Sequence, residues 1–373
     1  MQMRLLRRVD FILLIAMLLL CAYGALMIYS CTQAQLAMAD KPPTSTMTLQ
    51  LIWIGLGLVV MGLIMMVDYS RIASLSLVFY GLVLGLLLLV LAIGQTAYGS
   101  ARWLAIGPIN IQPGELAKLA VILMVGAYLS SRNSRELETF HTLAFSLGYV
   151  MVPAALILLQ PDLGTPVVLI FIWFSVAFLA GARLTQLGAI AFAFMMLFTV
   201  AWSTGGVIHP YHKERLTAFL HPDEDPQGAG WQIRQSLIAI GSGHLLGKGL
   251  FQGTQSRLGF IPHQEKDFVF TVVGEEWGFA GCFALLALLA VLMWRSLTIC
   301  WQAKDGFGRL MAGGIAAMFF IHITANVGMA LGLTPVKGMT LPFVSYGGSS
   351  MIVNCLAAGI LQNIYMRKRK IAF

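Results

Sequence analysis

Charged residues are scarce in this 373-residue chain. They make up 11% of the sequence, whereas 58% of the residues are hydrophobic and the mean hydropathy is +0.81. Because a soluble domain carries roughly 25% charged residues, this chain could not cover a water-facing surface, and a soluble enzyme is excluded. Disorder is excluded as well, because disordered chains are polar. At about 20 apolar residues per span, the length leaves room for roughly eight to twelve membrane helices.

Cysteine pairs and metal-binding motifs are also missing. The five cysteines lie in or beside apolar runs, and such an odd, scattered set predicts buried packing residues rather than disulfides. There is no His-Glu-x-x-His or Cys-x-x-Cys motif, and the seven histidines are scattered. The glycine-containing stretch 243–249 lacks the spacing of a nucleotide-binding P-loop. We therefore predict no tightly held structural metal.

Long apolar runs predict an all-α polytopic membrane protein with ten transmembrane helices. The runs fall at about 11–30, 48–67, 72–93, 114–131, 141–159, 166–180, 185–206, 268–294, 310–331 and 345–366. An even number places both termini on one side, and that side holds 14 of the 24 basic residues but five of the 16 acidic ones. Because Lys and Arg accumulate in cytoplasmic loops, both termini are predicted to be cytoplasmic. The net charge of +8 is therefore a topology signal and not a nucleic-acid footprint.

The chain is expected to form a single domain over 1–373 with one unusually long connection. About residues 205–267 separate the seventh and eighth helices and form a large extracytoplasmic loop, and loops of such length are usually functional or disordered. This loop is expected to be ordered, because Ile233, Leu237 and Ile240 have the spacing of a short amphipathic helix.

Ionisable residues inside the predicted membrane helices are the first candidates for a site, because such residues are costly there. Glu115 and Lys118 lie three residues apart on one face of the fourth helix, close to its outer end. They form either a functional pair or a structural ion pair that tethers helices. Asp162, between the fifth and sixth helices, is either a helix cap or a carboxylate that faces a substrate.

A third group of carboxylates stands where the long loop enters the eighth helix. Asp267 is the last polar residue before that helix, so it is either an N-cap or a general base at the membrane surface, and position alone favours the cap. Glu275 and Glu276 lie two turns further in and need partners at that depth. One of these two glutamates is a candidate to face the same cavity as Asp267.

The start of the tenth helix is rich in proline, glycine and serine. The stretch includes Ser345, Gly347 and Gly348. Consecutive backbone N–H groups at a helix start favour anions such as phosphate. The alternative is a tight re-entrant turn in which the glycines only permit close packing.

Taken in order, these motifs resemble the SEDS family, the RodA and FtsW proteins of bacterial cell elongation and division. The resemblance covers essentially the whole chain, and residues 326–350 are close to the signature of the family. Residues 247–249 and 253–256 are most similar to RodA, whereas 337–340 are more similar to the division or sporulation members. We take the RodA-like interpretation.

The resemblance implies a peptidoglycan glycosyltransferase in the bacterial cytoplasmic (inner) membrane. Such an enzyme polymerises lipid II into β-1,4-linked glycan strands on the extracytoplasmic side, in support of cell elongation and shape. The essential aspartate of the family falls on Asp267, which reverses the preference for a cap and makes this residue the expected general base. Glu115 and Lys118 fall on the buried ion pair of the family, and Asp162 falls on its Pro-Asp-Leu-Gly turn.

This reaction would be one in-line displacement with inversion at the donor carbon. It needs a base on the acceptor hydroxyl and positive charge on the departing diphosphate. The candidate cations are Lys118, Arg102, Arg215, Arg257, Lys266 and Lys337, assisted by the N–H groups around Gly347 and Gly348. Lys266 has a second interpretation, as the ion-pair partner of Asp267. No cofactor is firmly expected, although a divalent cation (Mg²⁺ or Mn²⁺) that bridges a carboxylate and the diphosphate is compatible with this chemistry.

The expected partners are lipid II, the nascent glycan strand, membrane lipid, the elongation machinery and a class B penicillin-binding protein, with no nucleic acid. Three alternatives remain open: a lipid II flippase or other transporter, a division or sporulation member of the family, and a non-catalytic scaffold. A transporter or scaffold should tolerate the loss of the Asp267 carboxylate, whereas a polymerase should not.

Overall fold

The computed structural model describes residues 8–97, 100–106, 109–160, 162–204, 215, 217–221, 228–336 and 338–368. In these ranges the helices are, in chain order, α1 (Phe11–Met38), α2 (Ser45–Met66), α3 (Tyr69–Ile93), α4 (Pro113–Ser130), α5 (Ser134–Leu137), α6 (Phe140–Leu158), α7 (Gly164–Ala180), α8 (Leu184–Ser203), α9 (Ala229–Ser242), α10 (Thr254–Leu258), α11 (Val269–Gln302), α12 (Gly306–Ala330) and α13 (Gly348–Met366). Each of the ten predicted runs falls on one helix of 17 residues or more.

Eight helices in the described ranges are long and apolar enough to cross a membrane, and α7 is a shorter apolar helix. These helices confirm the prediction of a multi-pass helical membrane protein. The count of ten spans stays a prediction, because α7 and α13 are outside that set of eight.

Polar residues fix the helix ends. The Asp10 carboxylate accepts the N–H of Leu13 at 3.1 Å and caps α1, and Asp305 caps α12 in the same way through the N–H of Gly308 at 2.7 Å. Such caps satisfy N–H groups that have no partner inside the helix. Pro113 stands in the first turn of α4, where a missing N–H costs nothing.

Two helices form the centre of the bundle. Over its most apolar window, α4 is 78% buried and α12 is 67% buried, whereas α8 is 11% buried and lies at the edge. The axes of α4 and α12 come close because Gly314 has no side chain: a Cβ there would lie 2.9 Å from the Ile122 side chain. Helices in membranes commonly pack through small residues of this kind. The central helices therefore carry the residues that the bundle encloses.

A small antiparallel sheet departs from the all-α expectation. It consists of β1 (Gln95–Ala97), β2 (Ser100–Ile106) and β3 (Ile109–Ile111) in that spatial order, between α3 and α4. β1 and β3 have three residues each, which is too few for the period-two pattern to be visible in the sequence. The sheet matters for the site because β2 carries Arg102 and Trp103.

Helix α11 is broken one turn past its glutamates. Gly278 has φ +62° and ψ −157°, and at this break the stretch 243–249 pairs with the helix backbone. The N–H of Lys248 donates to the carbonyl of Glu275 at 3.0 Å, and the N–H of Phe279 donates to the carbonyl of His244 at 2.9 Å. The backbone groups that the break releases are thus satisfied by the loop, as a membrane environment requires.

The part of the long 205–267 connection that the structure describes is ordered. It includes the amphipathic helix α9, in which Ile233 is buried, Ile240 is partly buried and Leu237 is exposed. The indole N–H of Trp231 donates to the carbonyl of Phe260 at 3.3 Å. The predicted short helix is therefore present, with two of its three apolar positions turned inward.

Candidate active site

A cavity of about 620 Å³ lies at the end of the bundle where α4, α7, α11 and α13 begin. All four motif regions singled out in the sequence contribute to its wall. The sequence-predicted residues that line it are Arg102, Glu115, Lys118, Asp162, Arg215, Lys266, Asp267, Gly347 and Gly348. Residues more than 200 positions apart in the chain therefore meet in one pocket, whose size is typical of small-molecule sites.

Asp267 lies at the point where the long connection reaches α11. Its side chain does not cap the helix, because Phe268 occupies the N-cap position and makes no side-chain cap. The backbone carbonyl of Asp267 accepts a hydrogen bond from Nδ2 of Asn326 at 2.9 Å, and its N–H donates to the carbonyl of His263 at 3.1 Å. The main chain is thus fixed on both sides while the carboxylate lines the cavity.

The surroundings of Asp267 oppose its ionisation. Burial raises the pKa of this carboxyl from 3.8 to about 6, against the opposing effect of the positive charges of Lys266 and Arg215. Burial disfavours the charged form of an acid, and opposite charges favour it. A carboxylate with a pKa near 6 is still ionised at neutral pH, and it is a stronger proton acceptor than an ordinary aspartate.

Glu115 and Lys118 form the ion pair that their spacing predicts, and they gain a third partner. Nζ of Lys118 lies 2.8 Å from Oε1 of Glu115 and 2.9 Å from Nε2 of His322 on α12. Nδ1 of His322 lies 3.0 Å from the carbonyl of Thr340. Because a carbonyl only accepts, Nδ1 carries the proton and Nε2 accepts from the Lys118 ammonium. One positive charge is therefore held in place by two helices.

Asp162 binds the start of a helix and also lines the cavity, and its role toward a substrate stays a prediction. Its Oδ1 accepts the N–H groups of Gly164 at 2.9 Å and Thr165 at 3.3 Å, and its Oδ2 accepts the Thr165 hydroxyl at 2.9 Å. These bonds cap the start of α7. The same carboxylate lines the cavity, and Nη1 of Arg102 lies 3.8 Å from its Oδ2. Arg102 is also anchored by its Nε, which donates to the carbonyl of Gln160 at 3.3 Å.

The glycines at the start of α13 bring backbone close to the cavity. A Cβ at Gly348 would lie 2.5 Å from the ring of Trp53, so only glycine fits at this position. Ser345 is buried just before the helix, and its hydroxyl accepts the N–H of Leu341 at 2.8 Å. Ser345 therefore holds the turn, while Gly347 and Gly348 line the pocket.

The remaining candidate cations are placed differently from one another. Arg215 lines the cavity and donates from Nη1 to the carbonyl of Val336 at 3.1 Å, and Lys266 lines it next to Asp267. Arg257 is exposed outside the cavity and donates to the carbonyl of Phe251 at 3.2 Å. Lys337 lies outside the described residues.

The two glutamates of α11 turn away from the cavity, so the expectation that one of them faces Asp267 is wrong. Oε1 of Glu275 accepts from Nζ of Lys248 at 2.8 Å and from the N–H groups of Thr254 and Gln255 at 2.7 and 2.8 Å. Glu276 accepts the hydroxyl of Ser30 on α1. The need of both carboxylates for partners is met by the connection 243–256 and by α1, so they hold the loop against the bundle.

Sequence reasoning did not select several residues that line the cavity, among them Trp53, Trp103 and His322. One of them carried a usable signal: His322 precedes Asn326 by four residues, so both lie on one face of a helix. The aromatic residues gave none, because tryptophan is ordinary in a membrane protein. Among the residues described, no group of three or more His, Cys, Asp or Glu could hold a metal ion.

The fold and the cavity define a multi-pass membrane protein with a charged pocket at one end of its bundle. The chain matches the FTSW_RODA_SPOVE family model, described as cell cycle protein, over residues 11–370. Stage V sporulation protein E of Bacillus subtilis (strain 168) is 37% identical over 358 residues, which cover 95% of this chain and 96% of that protein. The protein therefore belongs to the FtsW/RodA/SpoVE family, the SEDS family that the sequence motifs resemble.

Other relatives give the activity of the family and its fold. Peptidoglycan glycosyltransferase MrdB of Escherichia coli (strain K12) is 35% identical over 370 residues, covering 97% of this chain and 95% of that protein. The rod shape determining protein RodA of Thermus thermophilus superposes with a TM-score of 0.71 at 29% identity, over 97% of this chain and 98% of that chain. A chain from work on the structural coordination of polymerization and crosslinking by a peptidoglycan synthase complex superposes with a TM-score of 0.79 at 31% identity, over 96% and 97% of the two chains.

Proposed function

We propose that this protein is a peptidoglycan glycosyltransferase that polymerises lipid II at the extracytoplasmic face of the bacterial inner membrane. The observation that carries the proposal is the Asp267 carboxyl, which has a raised pKa and shares a cavity with Lys118, Arg102, Arg215 and Lys266. A proton acceptor beside several cations is the combination that glycosyl transfer from a lipid-linked diphosphate requires. Names of relatives with this activity support the same conclusion.

In the proposed mechanism, Asp267 accepts the proton of the acceptor 4-hydroxyl as that oxygen attacks the anomeric carbon of the donor. The bond from that carbon to the diphosphate oxygen breaks on the opposite face, so the configuration inverts. The negative charge that develops on the diphosphate is neutralised by the cations of the cavity, with Lys118 fixed by Glu115 and His322. Because the donor already carries its leaving group, the chain needs no nucleotide site.

A divalent cation fits this pocket only with the help of the substrate. The oxygens of Asp162 are occupied by Gly164 and Thr165. Glu115 is paired with Lys118, and Asp267 is needed as the base, so such an ion would be held mainly by diphosphate oxygens and water. Mg²⁺ typically takes one or two carboxylates and completes its shell with phosphates and water. Such an ion would add positive charge at the leaving group.

We further propose that the protein serves cell elongation together with a class B penicillin-binding transpeptidase. The likeness to solved RodA structures and to a peptidoglycan synthase complex supports this role. Expression in strains depleted of either the elongation or the division member of the family tests it. Restoration of rod shape supports the elongation role, whereas restoration of division alone assigns the protein to the FtsW-like branch.

The deciding experiment is lipid II polymerisation by the purified protein in lipid nanodiscs, with and without its transpeptidase. Asp267→Asn removes the base and keeps the shape of the side chain, so we expect a loss of roughly 100-fold or more in rate. Asp40→Asn is the matched control, because it makes the same substitution at an exposed side chain outside the cavity wall. Equal polymer from wild type and Asp267→Asn would overturn the assignment of the base, and folded protein without polymer under any condition would favour a flippase or scaffold.

A further inference from the structure

The segment 338–340 runs between the two chemically active parts of the cavity. A Cβ at Gly338, where φ is +63°, would lie 3.4 Å from Oδ2 of Asp267, so this backbone borders the carboxylate. The next carbonyl, of Met339, accepts from Nδ2 of Asn326 at 2.6 Å. The carbonyl of Thr340 then accepts from Nδ1 of His322. Gly338 thus lies beside Asp267, and the next two residues are hydrogen-bonded to Asn326 and His322 in turn.

Helix α12 supplies both of the side chains that hold this segment. His322 and Asn326 lie one turn apart on the same helix face and are buried. Asn326 also donates to the backbone carbonyl of Asp267 at 2.9 Å. One turn of α12 therefore sets the position of the proposed base through Asn326 and of the segment beside it through both residues.

His322 also links the segment 338–340 to the Lys118 ammonium. Its Nε2 accepts from Lys118 at 2.9 Å, and the hydroxyl of Thr340 lies 2.8 Å from that of Ser350. Lys118 therefore joins Glu115 to His322, and the Thr340 carbonyl joins His322 to the segment 338–340. An ammonium has three N–H donors. With two directed at Glu115 and His322, the third remains available on an ammonium that lines the cavity.

We propose that His322 is a positioning residue that orients the Lys118 ammonium in the cavity and ties it, through the Thr340 carbonyl, to the segment that borders Asp267. The inference rests on the proposed function, in which Lys118 neutralises the departing diphosphate. His322 acts through Lys118 and not on the substrate. Its imidazole must be neutral with the proton on Nδ1, because a proton on Nε2 would confront the N–H groups of Lys118.

The test compares three variants of His322 and Lys118 in the nanodisc polymerisation assay. His322→Phe keeps the ring and removes both hydrogen bonds, and a misdirected cation should lower kcat/KM by about 10- to 100-fold. His322→Gln keeps a neutral group that accepts and donates, so it should restore at least a third of the wild-type rate. His141→Phe, on the exposed side of α6, is the matched control and should change nothing.

A double-mutant cycle separates positioning from simple stability. In a Lys118→Met background, His322→Phe should cost less than about twofold, because the group on which it acts is absent. Where Lys118→Met leaves too little polymer to measure, the same cycle is read from lipid II binding by the four proteins.

Two results would overturn the inference: an equal loss from His322→Phe in both backgrounds, and a Gln variant as weak as the Phe variant at an unchanged unfolding temperature. A wild-type rate in His322→Phe would also reject it, while leaving the proposed function intact. Absence of polymer from the wild-type protein, by contrast, would reject the proposed function itself.

Discussion

The carboxyl group of Asp267 is kept where it is costly to ionise, and that cost has two measurable consequences. Burial raises its pKa to about 6, although Lys266 and Arg215 act in the opposite direction. A base must be deprotonated to accept a proton, so its pKa sets the lower limit of the working pH range. The free energy needed to ionise the buried carboxyl also lowers the stability of the folded protein when the group is charged.

The pH profile of polymerisation should therefore have an acid limb near pH 6. Below this value kcat/KM should fall about tenfold per pH unit, because the fraction of ionised Asp267 falls by that factor. Lys266→Gln removes the charge that most favours ionisation, so it should move the limb to higher pH. A limb near pH 4 in the wild type, or no movement in Lys266→Gln, would contradict the assignment of this group as the base.

The titration of Asp267 should change the stability of the protein with pH in the opposite sense from the titration of an ordinary ion-paired aspartate. The pKa of Asp267 is higher in the folded state, about 6 against 3.8, so the folded state holds more protons between these values and loses stability as the pH rises through them. Above pH 6 the ionised group opposes folding. Asp267→Asn should thus unfold at the same or a higher temperature than wild type at pH 7.5, so lost activity would not reflect lost structure.

At the residue scale, the sequence was informative where an ionisable group stood in an apolar run. Glu115 and Lys118 were found in this way, because a charge at membrane depth is unusual. Asp162 and Asp267 were selected as carboxylates that precede a helix, and the role of Asp267 as a base came from the family resemblance. The same reasoning misplaced Glu275 and Glu276, since depth alone does not tell which face of a helix a side chain occupies. His322 was missed because its importance lies in contacts with residues about 200 positions away.

At the scale of secondary-structure elements, the break in α11 could not be predicted from the sequence. The apolar run continues through Gly278, so the pattern predicts one straight helix, and the helix is instead interrupted and paired with the stretch 243–249. Hydrophobic periodicity reports burial and not backbone hydrogen bonding. The small sheet at 95–111 was missed for a similar reason, because strands of three residues carry too few positions to show a period.

Gly247 should be essential for this pairing. Its φ is +82°, and a Cβ would lie 2.1 Å from the carbonyl of Glu276, which has no room to move within α11. Gly247→Ala combines a left-handed backbone with overpacking and should cost at least about 2 kcal/mol, seen as a lower unfolding temperature in detergent.

Gly241→Ala is the matched control for that substitution. Gly241 lies in α9, and nothing is found within 4 Å of its Cβ position. Alanine in a helix is favoured over glycine by roughly 0.5–1 kcal/mol, so this variant should be as stable as wild type or slightly more stable. An unchanged unfolding temperature in Gly247→Ala would mean that the loop is not docked on the helix as described.

At the scale of the whole molecule, the two ends of the bundle carry different groups of charged residues. The described wall of the cavity comes mainly from the starts of α4, α7, α11 and α13 and from the sheet before α4, with Trp53 of α2 and His322 of α12, so the pocket lies toward one end of the bundle. At the opposite end, Arg295 forms a buried ion pair with Asp10 at the start of α1. Removing one partner of such a pair leaves an uncompensated buried charge, so the pair joins α1 to α11 at this end of the bundle.

The direction of the bundle in the membrane can be read from thiol labelling, and the chain is well suited to it because its five cysteines are all buried. Ser131 and Gln252 are both exposed, the first after α4 and the second in the long connection near the cavity end. Since Lys and Arg accumulate on the cytoplasmic side, Gln252→Cys should react with a membrane-impermeant maleimide in intact spheroplasts, and Ser131→Cys only after permeabilisation. The parent protein should label weakly in both conditions. The reverse pattern would place the Asp267 cavity in the cytoplasm, where an enzyme that builds wall outside the membrane could not use it.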